Sequence, residues 1–139
     1  MNSSVRLAFV LIAASAVLVV VSTIVKKTMA GGDSVEMDLQ KTAQRVSEEG
    51  PRLIGNGVRL DSAAAGPGRT IRFTHTNVEA LLADVDINAF NTKYAATIRA
   101  QVCSATPPVL AKGVTMTYLY KDRTGVPIGS FDVTEEHCR

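Results

Sequence analysis

The stretch VTMTYLYKDRTGVPIGSFDVT, residues 114 to 134, decides the fold of this chain. Its two ends, Val114–Lys121 and Val126–Thr134, are rich in β-branched and aromatic residues that alternate with smaller or polar ones, which is the pattern of strands with one buried face. The loop between them ends in Gly125, where a tight hairpin commonly needs a positive φ, and Pro127 indicates a strand that begins at a sheet edge. The stretch therefore predicts a β-hairpin.

A second hairpin is predicted nearer the N-terminus, with strands at Val58–Ala63 and Arg69–Asn77. The segment AAGPG at 64–68 combines glycine with proline and is typical of a turn. The second strand divides into an apolar and a polar face, formed by Ile71, Phe73 and His75 and by Thr70, Arg72, Thr74 and Thr76. This alternation indicates a sheet with one buried face and one wet face.

Two helices are predicted around these strands. Residues 84–104 form the main helix, with Asp84 or Asp86 as its cap, and a stripe of side chains at every fourth position would lie on the sheet: Phe90, Tyr94, Ile98 and Val102. The first helix spans 35–49 and stops at the Gly-Pro pair that follows it. The expected fold class is α+β, a helix–hairpin–helix–hairpin order that builds a four-stranded antiparallel sheet with the helices on one face.

The nineteen residues from Leu7 to Val25 carry no charge. As a helix they would reach about 28 Å, close to the ~30 Å hydrocarbon thickness of a bilayer. We therefore expect an N-terminal transmembrane helix that remains as a single-pass anchor. Cleavage after Ala30 is the alternative, because small residues there suit signal peptidase. The domain organisation is then an anchor or signal peptide at 1–30, a linker at 31–34 and one small soluble α+β domain at 35–139.

The charge distribution argues against a nucleic-acid partner. The 139 residues include 15 lysines and arginines and 13 aspartates and glutamates. Arg6, Lys26 and Lys27 flank the apolar run, and without them the chain has 12 basic and 13 acidic residues, so no basic face for nucleic acid is indicated. Arg6 and the α-amino group nearly balance the two lysines, so the charges alone do not fix the orientation in the membrane.

Two cysteines, Cys103 and Cys138, lie 35 positions apart. Outside the cytosol they predict one disulfide, whereas in the cytosol they would be two buried thiols. The disulfide is favoured because Cys138 lies one residue from the C-terminus, and a terminus usually frays unless something holds it. A disulfide in turn favours an orientation in which the C-terminal domain lies on the side of the membrane away from the cytosol.

No motif of a known catalytic, cofactor-binding or metal site is present, since the chain lacks a phosphate-binding loop, a dinucleotide-binding glycine pattern, HExxH, CxxC and GxSxG. Cys103 with His75 or His137 as its base is a conceivable nucleophile, but a disulfide would abolish it. Two histidines without a third ligand make a weak metal site. We expect no catalytic residue, cofactor or metal. Tyr118 and Tyr120 share a strand face; this favours residues of the core or its edge, with an aromatic contact patch as the alternative.

Several short elements occur in a characteristic order along the chain: Asp61-Ser62, Gly66-Pro67-Gly68, Val102-Cys103, a Tyr-x-Tyr-x-Asp-x-x-Gly-x-x-Ile hairpin from Tyr118 to Ile128, and Cys138. In this order they resemble a group of small Gram-negative envelope proteins. The resemblance implies the disulfide, the two hairpins and an envelope location. Together with the apolar run it predicts a bacterial inner-membrane protein whose C-terminal domain faces the periplasm, or a periplasmic or secreted protein after cleavage following Ala30. It implies no catalytic residues, because the group has no established activity.

These observations favour a non-enzymatic envelope protein, held in the membrane by residues 7–25, whose outward-facing, disulfide-closed domain binds a protein or cell-wall partner. A secreted or periplasmic enzyme or enzyme inhibitor of unrecognised type is one alternative, which a deep pocket with convergent polar groups would favour. An accessory subunit of a membrane assembly is the other, because the small residues Ala13 to Ala16 would allow close helix contact.

Overall fold

The computed structural model describes residues 35–55, 57–105 and 110–139. These residues form one five-stranded sheet in the order β1-β2-β3-β4-β5. The first helix and the strands have the following bounds: α1 Val35–Glu49, β1 Arg52–Gly55, β2 Val58–Gly66, β3 Thr70–Asn77, β4 Thr115–Lys121 and β5 Pro127–Val133. The second helix, α2, has three consecutive parts: an α-helical turn Ile87–Ala89, a π-helical turn Phe90–Tyr94 and an α-helix Ala95–Ser104. Short 3-10 turns occur at Leu82–Asp84, Ala111–Gly113 and Glu135–Cys138.

The sheet is mixed, so the prediction of four antiparallel strands is wrong on two counts. The pairs β1/β2, β2/β3 and β4/β5 are antiparallel, but β3 and β4 are parallel, with Thr70 opposite Thr115. The parallel pair arises because α2 is a crossover connection, which returns the chain to start β4 beside the start of β3. The fifth strand, β1, is a four-residue segment directly after α1 that has no alternation long enough to recognise.

The core lies on one face of the sheet, beneath the helices. Helix α1 packs on β2 and buries four regularly spaced apolar residues, Val35, Leu39, Ala43 and Val46. The stripe predicted on α2, formed by Phe90, Tyr94, Ile98 and Val102, is also buried, and that prediction is confirmed. Each strand contributes alternate side chains to this face, among them Leu60, Ile71, Phe73, Met116, Tyr118 and Val133, which are all almost fully buried.

Helix α2 begins at Ile87, later than the predicted residue 84. Of the two candidate caps, Asp86 performs the role, because its Oδ1 accepts a hydrogen bond from the Ala89 amide at 2.9 Å. Asp84 instead ends the preceding 3-10 turn. The π-helical turn has a wider repeat than an α-helical one, and it contains both Phe90 and Tyr94, which point into the core.

The membrane anchor predicted at Leu7–Val25, the cleavage alternative after Ala30 and the linker at 31–34 lie outside the described residues. Within the ranges 35–55, 57–105 and 110–139, no helix is both long enough and apolar enough to span a bilayer.

Candidate functional site on the open face of the sheet

The two tyrosines considered as a contact patch lie in the core. Tyr118 is 0% exposed and Tyr120 is 3% exposed. The ring of Tyr118 stacks on Phe131 with 5.5 Å between centroids, and Tyr120 meets Phe90 edge-on at the same separation. The contact-patch interpretation is therefore wrong. Strand alternation turns both side chains toward the helices, so they are part of the helix-covered face.

His75 belongs to the same aromatic cluster. Its ring stacks on Tyr120 at 4.6 Å between centroids and lies 6.0 Å from the ring of Tyr118. Neither ring nitrogen has a well-aligned hydrogen-bond partner among the described residues. Burial lowers the pKa of His75 from 6.5 to about 4, against smaller opposing effects of the Leu119 backbone and Asp61. The ring is therefore neutral at pH 7 and inaccessible as a base or ligand.

Asp122 holds the hairpin between β4 and β5 together. It is 2% exposed, and its Oδ1 accepts hydrogen bonds from the Thr124 amide at 2.8 Å, the Thr124 hydroxyl at 2.7 Å and the Val126 amide at 3.0 Å. Its Oδ2 accepts one from the Leu82 amide at 3.0 Å. These bonds, above all that of the Thr124 hydroxyl, lower the pKa of Asp122 to about 2. Gly125 adopts the positive φ of 89° that the turn requires. The Tyr-x-Tyr-x-Asp-x-x-Gly pattern is therefore explained by the structure of the hairpin.

The predicted disulfide is confirmed. Cys103, near the end of α2, is bonded to Cys138 in the last 3-10 turn, with an S–S distance of 2.00 Å, so Cys103 is not a free nucleophile. His137 is committed to that turn as well, because its Nδ1 accepts a hydrogen bond from the Thr134 amide at 3.0 Å. Among the described residues, no group of three or more His, Cys, Asp or Glu side chains could hold a metal ion.

The other face of the sheet carries a row of small and polar side chains, which we call the polar row: Ala64, Arg72, Thr117 and Asp132. They lie opposite one another on β2, β3, β4 and β5. The Thr117 hydroxyl donates to Asp132 Oδ1 at 2.7 Å. Ala64, Arg72 and Asp132 are exposed. The polar row therefore crosses most of the width of the sheet and presents one cation and one anion.

An ion pair between Arg59 and Asp61 lies at one end of this face. Arg59 Nε lies 2.5 Å from Asp61 Oδ1, and the Thr76 hydroxyl donates to Asp61 Oδ2 at 2.5 Å. Thr76, predicted to be wet, is consequently only 7% exposed. Asp61 reaches both partners from the bulge between Leu60 and Ser62. The charge of Arg59 is thus matched by a carboxylate, in contrast to that of Arg72.

A shallow pocket of about 280 Å³ lies beside the polar row, at the turn from β2 to β3. Its lining is mostly small or hydroxylated: Ala64, Ala65, Gly66, Pro67, Thr70, Ile71, Arg72 and Thr117. The Thr70 hydroxyl donates to the Pro67 carbonyl at 3.2 Å, which holds the turn against β3. Arg72 is the one charged side chain among these lining residues, and it forms no ion pair with any described residue.

Sequence reasoning located part of this site. It placed Arg72 and Thr70 on the wet face of their strand, and the structure agrees for both. It did not find the pocket, because the pocket depends on how the turn at 64–68 folds over β3 and on the pairing of β3 with β4. The sequence signal that could have indicated the pocket is a charged residue, Arg72, in the middle of a threonine-rich strand face.

Comparison with known proteins identifies a fold. No family model and no curated protein matches the chain. Among solved structures, a protein from Pseudomonas aeruginosa that is described as secreted superimposes with a TM-score of 0.63 and 19% identity, covering 76% of this chain and 94% of that one.

Two pilotins of type II secretion systems have the same fold. AspS from Vibrio cholerae superimposes with a TM-score of 0.56 and 18% identity, covering 76% of this chain and 94% of its own. EpsS from Vibrio vulnificus gives a TM-score of 0.51 and 16% identity, covering 77% and 94%. The likeness extends over 94% of each of these solved chains, so the described domain shares their fold.

Proposed function

We propose that this chain is a non-enzymatic envelope protein whose domain binds a protein component of a membrane-associated assembly. The observation that carries this proposal is the fold shared with two pilotins of type II secretion systems over 94% of each of those chains. The third structure with this fold is a protein described as secreted. Two of the three neighbours are thus components of secretion systems and the third is described as secreted, which fits the envelope location that the sequence of this chain predicts.

The chemistry of the described residues supports a binding role. Three side chains of types common in catalysis are already engaged: Cys103 in the disulfide, Asp122 in four hydrogen bonds, and His75 in the aromatic core. The open face of the sheet presents the guanidinium of Arg72, which is exposed and forms no ion pair with any described residue. Such a surface offers directional contacts to a partner without reorganising the domain.

An envelope location is proposed from the disulfide and from the N-terminal sequence together. A disulfide persists in an oxidising compartment such as the periplasm, and the uncharged run Leu7–Val25 would attach the chain to the inner membrane. Cell fractionation with intact-mass measurement checks this arrangement. We expect the full-length mass in the membrane fraction; a soluble mature chain that begins at Gly31 would contradict the anchor.

The binding role is tested by crosslinking in the cells that produce the protein. The tagged full-length chain is crosslinked mildly with formaldehyde and purified from membranes, and co-purifying proteins are identified by mass spectrometry. The control is Phe90→Ala at matched abundance, which keeps the N-terminal segment but loses much of the stability of the domain. We expect a component of an envelope assembly with the wild type and its loss with the variant. Identical sets of proteins from both chains would contradict a binding role for the domain.

A further inference from the structure

We propose that the pocket beside Arg72 binds an acidic side chain of an extended peptide segment in the partner protein. This inference rests on the proposed function, because it takes the partner to be a protein, and it adds the surface and the chemistry of the contact. It assigns a binding role to the face of the sheet that the core does not use.

The positive charge of the pocket indicates that its ligand carries an anionic group. Arg72 is exposed and unpaired among the described residues, while the other cation of the neighbouring strand, Arg59, is matched by Asp61. No carboxylate lines the pocket. A guanidinium has a planar fork of donors that fits a carboxylate in a bidentate geometry, which is stronger and more directional than a neutral hydrogen bond.

The size and lining of the pocket suit one side chain and the backbone next to it. At about 280 Å³ it lies at the lower end of the ~300–1,000 Å³ that small-molecule and cofactor sites usually occupy. The hydroxyls of Thr70 and Thr117 already donate to Pro67 and Asp132, so their remaining lone pairs can accept hydrogen bonds from peptide N–H groups. The wall at Gly66 and Pro67 has little side-chain bulk and allows a backbone to approach.

A peptide explains the surface better than a membrane or a phosphate group. Anionic membranes attract clusters of basic residues, and phosphorylated segments are commonly held by several arginines. Here a single guanidinium, that of Arg72, lines the pocket, and the exposed carboxylate of Asp132 lies on the same row two strands away. That carboxylate repels a broad anionic surface but leaves room for one negative charge at Arg72.

The inference is tested by titrating the full-length protein in detergent micelles and following backbone amide signals by NMR. The probe is a blocked hexapeptide of alternating alanine and glutamate, and the matched control peptide replaces glutamate with glutamine. We expect saturable shifts at Ala64, Thr70 and Thr117 with the glutamate peptide, with a dissociation constant of about 0.1–1 mM, and at least a roughly tenfold weaker response with the glutamine peptide. Equal responses to both peptides, or no saturable shift, would overturn it.

Three variants assign the effect to the guanidinium. Arg72→Ala should weaken binding by about tenfold or more, Arg72→Lys should retain part of it, and Arg45→Ala, which removes an exposed cation on α1, should leave it unchanged. Unchanged affinity in Arg72→Ala would overturn the assignment. Inorganic phosphate that displaces the peptide at equal concentration would also overturn it, because the pocket would then be a general anion site. A partner captured by crosslinking without any peptide binding at Arg72 would leave the proposed function standing and remove this inference alone.

Discussion

The two faces of the sheet are built from the same strands but use their side chains in different ways. On the helix-covered face, Phe73, Tyr118 and Phe131 lie opposite one another across β3, β4 and β5, and all are buried. Arg72 on β3 and Thr117 on β4 each precede one of these buried residues by one position, and they lie on the polar row beside an open pocket. Strand alternation thus places side chains that pack in the core and side chains that are open to solvent at adjacent positions of one strand. Neighbouring substitutions on one strand should therefore have unrelated effects.

The largest expected contrast is between Phe90→Ala on the helix-covered face and Thr117→Ala on the open face. Phe90 is 8% exposed and contacts the rings of Tyr120 and Phe131, so its truncation should lower the free energy of unfolding by about 3–5 kcal/mol. Thr117→Ala removes one exposed hydrogen bond and should cost less than about 1 kcal/mol. Urea denaturation measures both, and equal losses would mean that the two faces do not differ as described.

Removing the disulfide should have the next largest effect. The double variant Cys103→Ser with Cys138→Ser frees the last 3-10 turn from α2, and closure of a loop with a sequence separation of 35 is worth about 3–4 kcal/mol in the chain-entropy estimate. Thermal denaturation with and without a reductant checks this prediction. A reductant should lower the melting temperature of the wild type and leave the double variant unchanged; if it affects neither chain, the crosslink does not stabilise the domain.

Acid should lower the free energy of unfolding of the domain, because His75 is buried on the helix-covered face. Its pKa in the folded chain is about 4, against 6.5 when exposed, so the unfolded chain takes up the proton first as the pH falls. The stabilisation is present above about pH 6.5 and is lost toward about pH 4, by at most about 3 kcal/mol. We expect His75→Phe, which keeps the ring against Tyr120, to lose less stability than the wild type between these pH values in urea denaturation.

The matched control for the acid effect is Thr74→Ala, one position away on the opposite face. It should retain the pH dependence of the wild type, because it leaves His75 in place. If His75→Phe and the wild type lose the same stability on acidification, then His75 is not a source of the acid sensitivity, and titrating carboxylates would account for it.

The smallest contrast concerns adjacent residues of β5. A Cβ atom added at Gly129 would lie 2.8 Å from Cε1 of Phe90, so Gly129→Ala must displace the ring and should cost about 1–3 kcal/mol. Ser130, the next residue, is exposed on the open face, and Ser130→Ala should stay within about 0.5 kcal/mol of the wild type. Chemical denaturation of the two variants side by side is the measurement. A milder effect at position 129 than at position 130 would reverse the assignment of faces on β5.

Local pattern predicted the elements of this fold better than their arrangement. Helix α1 spans the predicted residues, and the strands of both hairpins are within a few residues of their expected bounds. The parallel pairing of β3 with β4 was missed because antiparallel and parallel strands share the same alternation. What distinguishes them is the path of the connection through α2, which spacing along a strand does not encode. The four residues of β1 were too few to show a period.

The same limit applies to the candidate site. The sequence identified the wet face of β3 from alternation alone, and with it Arg72. It favoured the core for Tyr118 and Tyr120 but kept a contact patch as the alternative, because alternation gives two faces without saying which one the helices cover. The pocket requires the turn at 64–68 and the partner strand β4 together, and these are tertiary features. The choice between a structural and a functional tyrosine therefore needed the packed domain.

The division of roles between the two faces is tested most directly by site-specific photo-crosslinking in cells. The photoreactive residue p-benzoylphenylalanine replaces Ala64, which is exposed beside the pocket, or Gln44, which is exposed on α1. We predict a crosslinked component of an envelope assembly from position 64, its loss when Arg72→Glu is added, and no such product from position 44. A product that forms from position 44 and not from position 64, or one that is indifferent to Arg72→Glu, would contradict recognition through the open face.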